Sequence, residues 1–266
     1  MPRKAKTRPE AAGSATSALG PVQWLRAEYH LHVFHYRMPE TVAIAAVTPF
    51  VPSPLTLKMA LVAALLQSGD EQSARTLVPH LPKIEVRIVP PFSAISFKAF
   101  LRYRSVPAVE STSGLDESGS YYPSRPHTRD YALFSDALTV FLGLPDTAIL
   151  ETVKKALWDI RYLGCKDSMV TCLSVQEVSK EEAEDAKSSA VQPLREDYAG
   201  AVILGADFDP SARLSDLKDL IPGARNEAHY RHPAPVFVVP ATVTVKGRTP
   251  IFVRSSAISP GSGRRM

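Results

Sequence analysis

The sequence predicts an α+β chain built on a split βαβ, ferredoxin-like unit, with a long insertion and a β-rich C-terminal extension. Three observations predict it. Strand-period and helix-period segments follow one another in the order β-α-β-β-(β)-α-β between Val22 and Val178. A Ser-, Gly- and Pro-rich excursion, "PAVESTSGLDESGSYYPSRPHT", interrupts that series, and long excursions from compact domains are usually functional or mobile. Beyond the series stands a hairpin signature, "VFVVPATVTVKGRTPIFVR", turning at "KGRT".

Each element has a local reason. "WLRAEYHLHVFHY" alternates, with Leu25, Ala27, Tyr29, Leu31 and Val33 on one face and Arg26, Glu28, His30 and His32 on the other, the pattern of a half-buried strand. After a loop from Pro39 to Pro54, "SPLTLKMALVAALL" predicts a helix. Ser53 offers a capping oxygen and Pro54 fits the first helical position. Leu55 to Leu66 are apolar nearly all round, so this helix is buried on most sides. "QSGDEQSART" reads as a polar break. "KIEVRIVPPFSAISFKAFLRY" gives two strands joined at Pro90 and Pro91, and the later half of "RDYALFSDALTVFLGLP" gives another. In "DTAILETVKKALWDIRYLG", Ile149, Val153, Ala156, Leu157 and Ile160 have helical spacing, with Asp146 as front cap and Gly164 as rear stop. "SMVTCLSVQEV" is the closing strand, and "SKEEAEDAKSSA" reads as a solvated acidic stretch.

These readings divide the chain into a basic, disordered arm at 1–21, a domain at 22–178 carrying the insertion 106–128, an extension at 179–254 and a frayed tail at 255–266. With 266 residues, 45% hydrophobic and 22% charged, the chain can bury one sizeable core or two small ones. The net charge of +4 permits a polyanionic partner without demanding one, so the placement of charge matters more than its sum. Cys165 and Cys172 have no neighbouring His or Cys at zinc-ligand spacing and are expected as reduced thiols of a cytoplasmic protein. No stretch reaches the roughly 18 uninterrupted apolar residues of a membrane helix. No phosphate-binding Gly-rich loop of nucleotide-hydrolysing type, Gly-x-Ser-x-Gly elbow or paired metal-binding carboxylates occur.

Lys58 is the one cation in the apolar helix, near its positive end, where the macrodipole favours an anion. Either its stem lies along apolar surface while the ammonium reaches water, or a phosphate lies at the helix entrance. From Lys83 to Arg104 the chain carries Lys83, Arg87, Lys98, Arg102 and Arg104 against only Glu85. Lys98, Arg102 and Arg104 share a strand face, interleaved with Phe97, Phe100 and Tyr103. That face is either solvated over an aromatic core or a contact for single-stranded RNA, which needs cations along its backbone and rings for its bases. Tyr121, Tyr122, Arg125, His127 and Arg129 crowd the insertion, where adjacent tyrosines suit stacking or docking. In "RYLGCKDSM", Arg161 complements a helix C-terminus, while Lys166 and Ser168 are candidate phosphate contacts from an exposed turn. His30, His32 and His35 have no acidic or cysteine partner spaced to complete a metal set, so no metal is expected.

The "PSPLTLKMAL" helix entrance and the "RYLGCKDSMV" turn, in this order of elements, resemble the repeat-associated RNA-binding proteins of CRISPR systems, specifically the family called Cas five. The resemblance spans about Leu25 to Val178. That family supplies the subunit capping the 5′ end of the guide RNA in type I Cascade complexes. The resemblance implies an RNA-recognition-type sheet whose helix entrance, thumb-like insertion and post-helix glycine turn surround the 5′ handle of the crRNA. It implies as partners the crRNA, the Cascade backbone and large subunits, and target DNA through the assembled complex, with no cofactor and no membrane. Family members commonly begin at once with the first strand, whereas residues 1–21 precede it here. Some members cleave precursor RNA with a Tyr, Lys and His set that has no clear counterpart in this sequence. A non-catalytic RNA-binding subunit is therefore expected. Its rivals are a metal-independent endoribonuclease of the same fold and a protein–protein scaffold with an incidental basic face.

Overall fold

The computed structural model describes residues 23–35, 48, 50–104, 124–186, 191–193, 201–204, 206–221, 229–230, 236–239, 241–247 and 249–254. The arm at 1–21, the tail at 255–266, and Tyr121 and Tyr122 of the insertion lie outside the described residues.

The chain mixes helices with antiparallel sheets. The first sheet holds β1 (Gln23–Leu31), β2 (Glu85–Val89), β5 (Leu138–Leu144) and β6 (Val170–Val178) in the order β2-β5-β1-β6, every neighbour antiparallel. Helices α1 (Pro54–Gln67) and α3 (Leu150–Asp159) connect β1 to β2 and β5 to β6. Leu25, Ala27, Tyr29 and Leu31 of β1 enter one hydrophobic core with Leu57, Leu61 and Leu65 of α1 and Val153, Ala156 and Leu157 of α3. Removing a fully buried leucine such as Leu61 from such a core costs about 2–5 kcal/mol. The alternation expected of β1 holds across a register shift between Glu28 and Tyr29. Trp24 breaks the expected polarity of the opposite face, being only 2% exposed.

α1 begins as its sequence dictates. Ser53 accepts from the Thr56 N–H at 3.3 Å, and Pro54 occupies the first turn. It ends at Gly69, whose φ of +80° lets its N–H reach the Leu66 carbonyl while that of Asp70 reaches Leu65. Asp70 then caps α2 (Glu71–Leu77), a short helix where the sequence suggested only a polar break. The Asp70 side chain and the Glu71–Arg75 ion pair one turn apart supply local support that apolar periodicity does not reveal.

β3 (Ser93–Arg104) and β4 (Ser124–Phe134) leave the first sheet and pair with each other over eleven register positions, from Ala94 opposite Phe134 to Arg104 opposite Ser124. Hence 124–128, read as part of the excursion, belongs to a strand, and the third strand of the first sheet is β5. Beside β3 lie β11 (Thr249–Arg254) and then β10 (Ala241–Lys246), the expected hairpin, turning at Gly247 with a φ of +65°. β7 (Gln192–Pro193), β8 (Ala201–Leu204) and β9 (Val236–Val239) form a small third sheet. The C-terminal extension therefore serves two sheets. α4 (Lys180–Asp185) shapes the acidic stretch into a short helix: Ser179 caps it, its carboxylates are exposed as expected, and Ala183 alone of its six residues is buried against the first sheet.

Candidate nucleic-acid interface

A groove of about 300 Å³ lies between the first turns of α1 and the turn that follows α3, lined by Leu55, Thr56, Met59, Ala60, Ala63, Tyr162 and Gly164. The two motifs singled out in the sequence thus face each other. At the rim Gln67 Nε2 donates to the Tyr162 hydroxyl at 2.9 Å. The lining is largely apolar with a small-residue floor, suited to a flat ring more than to a phosphate.

The second wall is a compact turn. Val170 N–H bonds to the Arg161 carbonyl at 3.0 Å, and Leu163 N–H to that of Ser168 at 3.0 Å. Gly164 has a φ of +83°, which an L side chain adopts only under strain. Since α3 ends at Asp159, Gly164 shapes this turn instead of stopping the helix. Arg161 and Lys166 are exposed on the turn. Ser168 is not: its hydroxyl is fully buried, donating to the His35 carbonyl at 2.5 Å and accepting from the His35 N–H at 2.9 Å. Its role is to fasten the turn to the end of the first strand.

Lys58 differs from both sequence readings. It is 1% exposed, and its Nζ lies 2.7 Å from Asp207 Oδ1. The anion at the helix entrance is a carboxylate of the chain's own C-terminal extension. Leu55 N–H bonds to the Ala206 carbonyl at 2.9 Å, and Asp207 Oδ1 also accepts the Phe208 N–H at 2.8 Å, so the extension is clamped to the helix start. The sequence offered no signal for Asp207, 149 positions away.

The basic residues of β3 and β4 divide between two faces. Lys98, Arg102 and Arg104 share one face of the hairpin by alternation, with Phe100 and not with Phe97 or Tyr103. Lys98 is exposed and Phe100 is 68% exposed. Arg125, His127 and Arg129 fall on the other face, opposite Tyr103, Leu101 and Ala99. Arg129 forms an ion pair with Asp167, joining the root of the hairpin to the turn that carries Lys166. Beside this junction a buried polar cluster holds the hairpin to the first sheet. Asp130 accepts from the Ser96 hydroxyl at 2.7 Å and the Thr48 N–H at 2.9 Å, and the His35 ring Nδ1 lies 2.8 Å from the Asp130 carbonyl oxygen. Phe34 pairs with Ala132 in the same region.

Both cysteines are free thiols. Among the described residues, no three His, Cys, Asp or Glu side chains gather as a metal site, and no helix is long and apolar enough to cross a membrane.

No family model matches the sequence. The CRISPR-associated protein Cas5 of Archaeoglobus fulgidus is 23% identical over 165 residues, 60% of this chain and 67% of that protein. Two solved structures align at low similarity. A CRISPR protein from Archaeoglobus fulgidus shares 11% identity over 90% of this chain and 100% of that one, with a TM-score of 0.43. A chain of a CRISPR RNA-guided surveillance complex shares 17% identity over 90% of this chain and 95% of that one, with a TM-score of 0.42. The sequence match is to a protein of the same kind that the helix entrance and the glycine turn resemble: the chain is similar to the CRISPR-associated protein Cas5.

Proposed function

We propose that this chain is a non-catalytic subunit of a type I CRISPR surveillance complex that holds the 5′ handle of the crRNA and contacts the neighbouring backbone subunit through its β3–β4 hairpin. The first sheet with α1 and α3 is its ferredoxin-like unit, a reading supported by the β2-β5-β1-β6 order with helical crossovers. One observation carries the functional reading. The apolar groove between α1 and the Gly164 turn adjoins a turn bearing Arg161 and Lys166, and the Asp167–Arg129 ion pair ties that turn to a hairpin with basic positions on both faces. Single-stranded RNA needs this combination of cations along the backbone path and an apolar slot for a base. Lys58 and Ser168 serve by fixing the helix entrance and the turn, while Tyr121 and Tyr122, at the far end of the hairpin in sequence, are assigned to docking.

The test is equilibrium binding of a short 5′-handle RNA across a salt series. Arg161→Ala/Lys166→Ala should weaken binding and reduce the salt slope by about two phosphate contacts. Unchanged affinity and slope in a folded double variant would remove the turn from the RNA path.

A further inference from the structure

The face of the first sheet turned away from α1 and α3 has the makings of a second site. Its two central strands present aromatic rings, Trp24 on β1 and Phe141 on β5. Phe141 is flanked in register by Arg87 on β2 and Arg26 on β1, and the Arg87 guanidinium lies 4.2 Å from the Trp24 ring centroid. Rings on the central strands of a four-stranded sheet, with planar cations beside them, are the means by which such sheets stack unpaired bases and hold their phosphates.

That face is covered by an acidic strap. β6 ends at Val178 on one edge of the sheet, and the Val191 N–H bonds to the Ile88 carbonyl on the opposite edge strand at 2.8 Å, so α4 crosses the sheet between them. Four of the six residues of α4 are carboxylates. Glu184 meets Arg87 at 2.7 Å and Glu182 meets Arg26 at 3.4 Å, while the Ala183 carbonyl accepts from Arg87. The strap supplies negative charge to both arginines but only the small side chains of Ala183 and Ala186 to the cluster around the two rings. It also leaves Trp24 Nε1 buried without a hydrogen-bond partner. The Arg26–Glu182 pair, 35% and 45% exposed, contributes little, so the strap is held mainly at Arg87, which is 8% exposed and bonds both Glu184 and the Ala183 carbonyl. A nucleic-acid strand would offer both arginines phosphates, both rings bases, and the indole an acceptor.

We propose that this face is a platform for single-stranded nucleic acid, closed by α4 as an acidic stand-in and opened when a strand displaces it. The site lies across the sheet from the handle groove and does not depend on that reading.

The experiment uses the full chain in a Trp158→Phe background, where Trp24 is the remaining tryptophan. The opened variant replaces 180–186 with a Gly/Ser segment of equal length. Labelled oligo(U) and oligo(dT) should bind it about tenfold tighter than the parent, the scale of one stacked base, and should quench Trp24 emission. Arg26→Gln/Arg87→Gln in the opened protein should abolish the gain, whereas Arg161→Ala/Lys166→Ala should leave it intact. The opening removes four carboxylates and one ammonium, a net of three negative charges. Glu71→Gln/Glu151→Gln/Asp159→Asn removes three carboxylates elsewhere and should gain neither affinity nor quenching. Parental affinity in the folded opened variant, an equal gain in the charge control, or a gain without quenching would overturn the proposal. Should the opened variant fail to fold, Glu182→Gln/Glu184→Gln keeps Ala183 in place and is judged by the same readouts.

Discussion

Lys58 and Asp207 meet at 2.7 Å, although 149 positions separate them, and the lysine is buried to 1% exposure. The contact sits where the dipole of α1 disfavours a cation, so the carboxylate neutralises both the ammonium and the field around it. It also joins the C-terminal extension to the first helix, with Phe208 fully buried and stacked on Tyr230 directly beyond.

Because breaking a buried ion pair from one side costs more than removing both of its charges, Asp207→Asn should destabilise the protein by about 3–5 kcal/mol. Lys58→Met/Asp207→Leu, which removes both charges, should lose much less. Denaturant unfolding of the single and double variants checks this. Equal losses in both would show that the pair is not coupled.

Gly164 carries a left-handed φ of +83° at the lip of the groove. Gly164→Ala should cost about 1–2 kcal/mol from backbone strain alone. It should also weaken handle binding, since the same turn presents Lys166. Thermal unfolding together with RNA titration separates the two effects, and an unchanged melting temperature would place no strain at this residue.

What could be read in advance follows from the range of the interactions. The start of α1 was legible because Ser53, Pro54 and the apolar run are neighbours in the chain. β1, β6 and the C-terminal hairpin were legible through their period-two or turn chemistry. α4 was not, because an acidic hexapeptide with a single alanine gives no amphipathic signal, and its position depends on Arg26, Arg87 and Trp24 arriving from two distant strands. The same limit applied to the site. Lys58 stands out in the sequence as a cation in an apolar helix, yet its partner Asp207 lies far along the chain. The groove's two walls were picked out separately as motifs, and only the packing of α1 near the post-α3 turn shows that they form one cleft.

Burial pushes the Cys172 thiol from its ordinary 9.0 up to about 11. Tyr29, opposite it in the β1–β6 register, is held well above its ordinary value, mainly by burial and then by the Cys172 charge. Both folded pKa values are raised in groups that are neutral when protonated, so the folded state holds protons that the unfolded chain gives up. Stability from Cys172 is fully present below pH 9 and is lost as pH rises through about 11. The melting temperature should fall across that window, and Cys172→Ala should fall less steeply. A slope identical in the two proteins would remove Cys172 as its source.

The last prediction concerns chemistry. Metal-independent RNA cleavage needs a base to take the 2′-hydroxyl proton and donors for the charge that builds on phosphate, held together. The His35 ring is buried with Nδ1 2.8 Å from the Asp130 carbonyl oxygen. His30 and His32 stand edge to face at 5.0 Å, and His32 Nε2 lies 3.2 Å from Thr171 Oγ1. None of these contacts is with a carboxylate that would orient a ring as a base. On the proposed non-catalytic reading, purified protein should bind repeat-derived RNA and leave it full length, with or without divalent metal, as read on a denaturing gel. Specific cleavage at the handle boundary, lost on substitution of His30, His32, His35 or His127, would make the chain an endoribonuclease.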